Sequence, residues 1–375
     1  MQRTRRGLLL GAAAVATSAV AGCLGTSSTN SGSDDGDDTI QASFFVVSDF
    51  TSHVAAGRTV RNLVPFGQHG HGWEPGPDVQ RDVLDADAFV YVGEGFQPWA
   101  DKIVRNVRND DADVRVIEAW EGIDLLGATE HDDGHDGHEE DHSDEGSHDG
   151  SENHEEGHDD GENHDGSANE SHGDHDGHEN STAESHEGSQ EESHDHGSKD
   201  PHFWLDPDRA KQSVDNIADG LAEMDPANES TYTENADGFK QRLTELDETY
   251  EERLSGRAKD TVLVAGHNSF RYLGERYDFH VEALTGLAPD AEPTPKDVRR
   301  AQSVIDEHDI EYILAPVFES DRAATQLVRE TDATEALPLT PVPSLTEEWR
   351  AEGWGYVDVM ENVNLPSLAR ALGAE

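Results

Sequence analysis

The sequence predicts an α/β protein with two parallel-sheet lobes joined by one long helix, and a ligand site in the cleft between the lobes. Short apolar runs alternate with amphipathic stretches over 40–117 and again over 261–331, which is typical of parallel sheets with crossover helices. An amphipathic stretch at 232–254 lies between them, and a helix of about 25 residues spans about 37 Å, enough to connect two lobes. A cleft between lobes is a common ligand site.

The elements of the first lobe follow from apolar runs and their boundaries. The run 42–47 indicates a buried strand because polar residues bound it. Further strands are predicted at 59–65, 86–93 and 114–117, and helices at 79–84 and at 98–107, the second of which begins with a proline.

Amphipathic helices dominate the next part of the chain. Residues 209–223 place apolar side chains on one face, and 232–254 repeats them at spacings of three and four residues. The second lobe then alternates again, with strands predicted at 261–265, 281–283 and 312–316 and helices at 269–277, 295–308, 322–331 and 354–372.

The charge of the chain is strongly negative and unevenly distributed. The 375 residues include 81 acidic and 27 basic ones, a net charge of −54, which excludes nucleic-acid binding through a basic face. Residues 130–198 hold 26 of the acids, 14 of the 21 histidines and only two aliphatic side chains, so we predict a disordered loop inserted in the first lobe. The remainder is still acidic and has 6 Lys against 21 Arg, a surface composition associated with proteins of very salty cells.

The N-terminus has the pattern of an export signal. Three arginines in residues 1–6 precede an apolar run of 16 residues, shorter than the roughly 20 that span a bilayer. Residues 4–9, with Arg5 and Arg6, resemble a twin-arginine signal, and 20–23 resemble a lipoprotein cleavage box ending at Cys23. We therefore predict a lipid anchor on Cys23 at the extracytoplasmic face of the membrane. Cys23 is also the single cysteine, which excludes an intramolecular disulfide and a Cys-rich metal site.

Three of the seven histidines outside the acidic loop stand in similar positions. His71, His202 and His267 each lie at a predicted strand-to-helix turn or just before a helix, which is the edge where open α/β sheets bind ligands. Neutral imidazoles that converge there favour zinc among divalent ions. Spacing alone leaves convergence open, and His69 is the nearest alternative to His71.

These segments together resemble the metal-binding solute-binding proteins of ABC importers, a family with zinc- and manganese-uptake members. The resemblance covers about 40–130 and 199–372. Its motifs are Gly67 and His71 with 73–75, the whole stretch Asp-Pro-His-x-Trp-x-Asp-Pro at 200–207, His267 with Ser269, Phe270 and Tyr272, the run 86–90, and Pro-Thr-Pro at 293–295.

The resemblance implies that His71, His202 and His267 are the metal ligands. Manganese-binding relatives tend to have Glu at the third position, so His267 favours Zn²⁺ over Mn²⁺. Many relatives add an Asp in the second lobe, but the matching stretch 341–346 has no carboxylate. The fourth ligand is therefore left among water, Glu74, Glu347 and a loop residue.

The function implied is extracytoplasmic capture of Zn²⁺ and its delivery to an ABC permease and its ATPase, by a monomer that is not an enzyme. A manganese-binding member of the family, a zinc-dependent hydrolase and a lipid-anchored metal buffer without a transporter are the alternatives. Three histidines with an open position also suit metal-assisted hydrolysis, and Glu74 lies near His71 in sequence, but none of the three segments around these histidines has the His-Glu-x-x-His arrangement.

The acidic loop has two interpretations. Histidine is about nine times as frequent in it as elsewhere, which favours weak metal collection over a solvated linker. The predicted organisation is a signal at 1–23, a tether at 24–39, a first lobe at 40–230, a linking helix at 231–256 and a second lobe at 257–375.

Overall fold

The computed structural model of the chain describes residues 39–68, 70, 73–128, 199–288 and 291–374. The predicted signal with Arg5, Arg6 and Cys23, the tether up to residue 38 and the acidic loop at 130–198 lie outside the described residues. Within the described residues, no helix has both the length and the apolar character needed to cross a membrane.

The first lobe is a four-stranded parallel sheet with the strand order β2-β1-β3-β4. Its central strands β1 and β3 pair Ile40 with Ala88 and Ala42 with Val90, and all four of these side chains are fully buried. A proline opens each of the crossover helices α2 and α3, where its missing N–H costs nothing. The elements are β1 (Thr39–Ala42), α1 (Phe45–Val54), β2 (Thr59–Asn62), α2 (Pro77–Leu84), β3 (Ala88–Tyr91), α3 (Pro98–Asn109) and β4 (Arg115–Glu118).

The second lobe repeats this arrangement with the order β6-β5-β7-β8. Its helix α7 begins with a capping box, in which Thr294 and Asp297 each bond the other's backbone N–H, and ends at Asp309 in the left-handed conformation. The elements are β5 (Thr261–Val264), α6 (Arg271–Tyr277), β6 (His280–Ala283), α7 (Pro295–His308), β7 (Tyr312–Pro316), α8 (Arg322–Glu330) and β8 (Glu335–Leu339).

Helices α4 (Pro207–Met224) and α5 (Glu229–Leu254) connect the two sheets. The ring of Phe239 on α5 packs against Phe50 of the first lobe at 5.5 Å, and Tyr250 stacks on Tyr277 of the second lobe at 5.1 Å. The chain ends with α9 (Glu347–Glu352), α10 (Tyr356–Val359), a π-helical segment (Met360–Asn364) and α11 (Leu365–Ala371). The predicted fold class, two parallel-sheet α/β lobes joined by one long helix, is confirmed.

Three local predictions were wrong or incomplete. The run 42–47 is not a strand: β1 ends at Ala42 and α1 begins at Phe45, with almost every side chain of its first two turns buried. A helical turn that is buried on every side shows no polar face, so its sequence cannot be told from that of a buried strand by periodicity. Strand β8 and helix α9 were missed because both are short, and β8 contains a proline.

Asp49 on α1 makes the stability of the fold depend on pH. One of its carboxylate oxygens accepts a hydrogen bond from the backbone N–H of Tyr356 at 3.2 Å, and burial raises the pKa of this carboxyl to about 6. An unfolded Asp has a pKa of about 3.9, so the folded state binds this proton more tightly, and stability falls as pH rises from about 4 to 6.

We therefore expect Asp49→Asn to raise the free energy of unfolding by about 1–2 kcal/mol at pH 7.5 and to change it little at pH 4. The Asn side-chain oxygen keeps an acceptor for Tyr356, which limits the change to the charge. Thermal unfolding at both pH values measures the difference. An equal shift at both values would contradict it.

Candidate metal centre

His202 belongs to the Asp-Pro-His-x-Trp-x-Asp-Pro stretch at 200–207, whose residues form hydrogen bonds, a helix cap and packing contacts around it. Asp200, fully buried, accepts hydrogen bonds from the backbone N–H of His202 at 3.1 Å and from its ring Nδ1 at 2.8 Å. At the other end, Asp206 caps α4 by accepting from the Asp208 N–H at 2.8 Å, and Pro207 occupies the first helical position. The stretch therefore orients one imidazole at the N-terminus of a helix.

Trp204 connects this stretch to both lobes. Its ring contacts those of His202 and Phe44, each at 5.4 Å between centroids, and its Nε1–H donates to the Pro341 carbonyl at 2.8 Å. The short 3₁₀ helix Phe203–Leu205 places this indole in the core, where it is fully buried. The position of His202 is thus set by rigid packing.

His267 lies just beyond the carboxyl end of β5 and is also fully buried. Glu319, which follows β7, holds this imidazole with both carboxylate oxygens. One lies 2.5 Å from the ring Nδ1, and the other accepts from the His267 backbone N–H at 3.2 Å. Because β5 and β7 are neighbouring parallel strands, their carboxyl ends bring these residues together at one edge of the sheet.

The two imidazoles face each other through their other nitrogens. Nε2 of His202 lies 3.4 Å from Nε2 of His267, and the Nδ1 of each ring has a carboxylate partner. Two nitrogens at about 2.05 Å from a tetrahedral ion are about 3.3 Å apart. Burial lowers the pKa of His202, although its hydrogen bond to Asp200 opposes that effect, so its ring stays neutral at neutral pH. The pair is therefore arranged as half of a tetrahedral metal site.

The third predicted ligand belongs to the segment between β2 and α2, which the structure describes only in part. His71 and its alternative His69 lie outside the described residues, but Gly70 between them is buried. Its carbonyl faces the Gln97 side-chain amide at 3.5 Å, and a Cβ at this residue would stand 2.3 Å from the Phe44 ring. Because Phe44 packs on Trp204, the chain at Gly70 is supported by the same aromatic cluster as His202.

The predicted fourth ligands Glu74 and Glu347 are exposed, in the segment before α2 and in the first turn of α9. The carboxylates that touch the two imidazoles are those of Asp200 and Glu319. Within the described residues, no three His, Cys, Asp or Glu side chains form a metal site. Glu319 was missed because it has no motif of its own; its signal was its place directly after a strand that neighbours β5.

We expect Glu319→Gln to weaken zinc binding about 10- to 100-fold, because loss of the carboxylate removes the partner that orients His267 and makes it more basic. Chelator competition measures the change. The matched control is Glu282→Gln. The Glu282 carboxylate lies 2.8 Å from Nε2 of His280, whose imidazole is exposed. Equal affinities of the two variants would contradict the expectation.

Comparison with known proteins gives one family and many relatives. The sequence model of the family described as zinc-uptake complex component A, periplasmic, matches residues 40–371. The chain is 30% identical over 342 residues to the zinc-binding lipoprotein AdcA of Streptococcus pneumoniae, covering 91% of this chain but only 57% of that relative. It is 27% identical over 356 residues to the high-affinity zinc uptake system protein ZnuA of Bacillus subtilis, covering 94% of this chain and 93% of that one.

Solved structures give the same result. The Zn(II)-bound ZnuA-like domain of Streptococcus pneumoniae AdcA superposes with a TM-score of 0.63 at 26% identity, over 89% of this chain and 98% of that domain. The metal-dependent lipoprotein YcdH of Bacillus subtilis has the same TM-score at 23% identity, a likeness of fold.

Proposed function

Since the chain belongs to the family of the periplasmic component A of zinc-uptake complexes, we propose that it captures Zn²⁺ outside the cytoplasm and delivers it to an ABC importer. The observation that carries this proposal is the facing pair of buried imidazoles, His202 and His267, with Nε2 atoms 3.4 Å apart. Family membership also confirms the prediction that the protein is a binding component and not an enzyme, so the zinc-hydrolase alternative is not retained.

The proposed ligands are His71, His202 and His267, with Zn²⁺ preferred over Mn²⁺. Imidazole nitrogens suit zinc, whereas manganese prefers carboxylate and water oxygens. The names of the relatives AdcA and ZnuA support zinc as cargo. In this proposal Glu319 and Asp200 orient the imidazoles, and Glu74, Glu347 or water remain candidates for the fourth position.

We propose that Cys23 carries a lipid that holds the protein at the extracytoplasmic face of the membrane, after export directed by Arg5 and Arg6. The relative AdcA is named a lipoprotein, which supports an anchor of this kind. A permease and an ATPase are the proposed partners, the functional unit is a monomer, and the acidic surface suits a salty environment.

The acidic loop at 130–198 is proposed to collect zinc for this site. Gly127 and Lys199, which flank the insertion, form an antiparallel bridge, and the Leu126 carbonyl accepts from the Asp200 N–H at 2.8 Å. The insertion thus leaves and rejoins the fold at one place, three residues before His202. This closeness in the chain supports transfer of loosely held zinc from the loop to the imidazoles.

Zinc uptake by cells tests the proposed function. Cells that lack the protein are expected to stop accumulating radioactive zinc from a zinc-poor medium, and the wild-type chain should restore uptake. The His267→Ala variant should not restore it, whereas His280→Ala, which removes an exposed histidine, should. Restoration of manganese uptake instead of zinc uptake would favour the manganese alternative, and full restoration by His267→Ala would contradict the proposed site.

A further inference from the structure

Tyr272, on helix α6 of the second lobe, is bonded to the stretch that carries His202. Its side chain is fully buried, and its hydroxyl donates to the backbone carbonyl of Asp200 at 2.7 Å. The same hydroxyl accepts from the backbone N–H of Leu126 at 2.9 Å. The Leu126 carbonyl in turn accepts from the Asp200 N–H at 2.8 Å. One phenol oxygen of the second lobe is therefore bonded to both of two paired segments of the first.

A second contact from α6 reaches the side chain of Asp200. The Arg271 guanidinium lies 3.6 Å from Oδ2 of Asp200, whose Oδ1 holds the His202 ring. This Oδ2 is buried, and no hydrogen-bond donor of the described residues reaches it, so the guanidinium is its charged neighbour. Helix α6 thus contacts both the backbone and the carboxylate of the residue that orients His202.

The connection from Tyr272 back to His267 is short and buried. Helix α6 begins four residues after His267, and Ser269 and Phe270 between them are buried. The Ser269 N–H donates to the His267 carbonyl at 2.9 Å, which tightens this turn. The position of Tyr272 is therefore tied closely to that of the His267 backbone.

These contacts form a path of protein atoms between the two imidazoles. It runs from His267 along the chain to Tyr272 and then across to Asp200, which holds His202 at the ring Nδ1. The two histidines are 65 residues apart, so their covalent connection alone does not fix their distance. Their Nε2 separation of 3.4 Å is close to the about 3.3 Å between two nitrogen ligands of a tetrahedral zinc ion.

We propose that Tyr272 is a positioning residue that sets the spacing of His202 and His267 and thereby favours tetrahedral zinc coordination. The inference rests on the proposed zinc-binding function. Without the hydroxyl, the Asp200 carbonyl loses its donor, and the stretch that carries His202 is tied less firmly to the helix that follows His267. The two nitrogens then hold their separation less rigidly, so an ion that requires a fixed ligand geometry binds less tightly.

Tyr272→Phe tests the proposal on the full chain, because it removes the hydroxyl and keeps the buried ring. Zinc affinity, measured by chelator competition, is expected to fall about 3- to 10-fold, less than for loss of a direct partner of a metal-binding imidazole. One equivalent of Co²⁺ serves as a coloured substitute for zinc. Its visible absorption band, which is strong in tetrahedral coordination, is expected to lose intensity in the variant.

Tyr250→Phe on α5 is the matched control. Tyr250 is also fully buried, and its hydroxyl also donates to a backbone carbonyl, that of Met360, at 2.7 Å. Each variant loses a buried hydrogen bond, so the melting temperature of the metal-free protein should fall in both. Only Tyr272→Phe should change the zinc affinity and the Co²⁺ band, which a purely structural role would leave alike in the two variants.

The outcomes separate this role of Tyr272 from the function on which it rests. Wild-type zinc affinity and Co²⁺ absorption in Tyr272→Phe would overturn the proposal, and so would equal changes in Tyr250→Phe. In both cases tight zinc binding by the wild-type chain would still support the proposed function. Absence of tight zinc binding by the wild-type chain would instead contradict that function.

Discussion

Replacement of His202 by alanine is expected to weaken zinc binding by more than about 100-fold, the largest effect of any single change considered. Loss of an outer partner of a metal ligand costs about 10- to 100-fold, and loss of the ligand itself exceeds that. His202 is fully buried and its Nε2 lies 3.4 Å from that of His267, so the substitution removes one half of the facing pair.

The measurement is chelator competition on a variant that lacks 130–198, so that the histidines of the acidic loop do not bind the titrated zinc. The bridge between Gly127 and Lys199 brings the cut ends together, which permits a short connection. His280→Ala serves as control because that imidazole is exposed on β6. Circular dichroism checks folding, since Asp200 loses a partner in the variant. Unchanged affinity of a folded His202→Ala protein would refute the proposed site.

Gly70→Ala is expected to weaken zinc binding about 10- to 100-fold, although this residue carries no side chain that could bind metal. A Cβ at this position would stand 2.3 and 2.5 Å from two atoms of the Phe44 ring. Phe44 is fully buried and packs edge-on against Phe96 at 5.3 Å as well as against Trp204, so the ring has little room to yield. The chain that carries His69 and His71 must then move away.

Gly76→Ala provides the matched control for this substitution. It lies in the same connection between β2 and α2, has an extended backbone with a φ of −66°, and a Cβ there meets nothing within 4 Å. Affinity by chelator competition and melting temperature should both distinguish the two variants, with Gly70→Ala also less stable by about 1–3 kcal/mol. If the two variants bind zinc equally tightly, the aromatic support of the Gly70 loop does not position a ligand.

The sequence predicted the two-lobe architecture and the bounds of several elements, but it assigned the wrong type of element at the start of the first lobe. Helix α7 and strand β7 have the predicted bounds, because a capping box and a bounded apolar run are local signals. The strand predicted at 42–47 was wrong because the first turn of α1, Phe45 to Ser48, is buried on every side and lacks the polar face that distinguishes a helix from a strand. The bounds of the signal, the tether, the lobes and the acidic loop remain predictions.

Part of the candidate site could also be predicted from the sequence, whereas the roles of its residues could not be tested. The stretch at 200–207 and the histidine after β5 could be recognised from the chain alone, because their caps, turns and strand ends are made by neighbours in sequence. The roles of His71, His202 and His267 as ligands, and of Glu74 or Glu347 as a fourth ligand, remain predictions.

What the sequence by itself determined was the alternation of elements, the histidines at their ends and the acidic insertion. Only the tertiary structure decided that the Nε2 atoms of His202 and His267 meet, that Glu319 holds one imidazole, and that Tyr272 reaches Asp200. These partners are 52 to 72 residues apart in the chain. These contacts depend on the strand order and on the packing of the lobes, because burial of the whole core brings distant segments together. The contacting residues themselves show no local sequence pattern from which the contacts could be predicted.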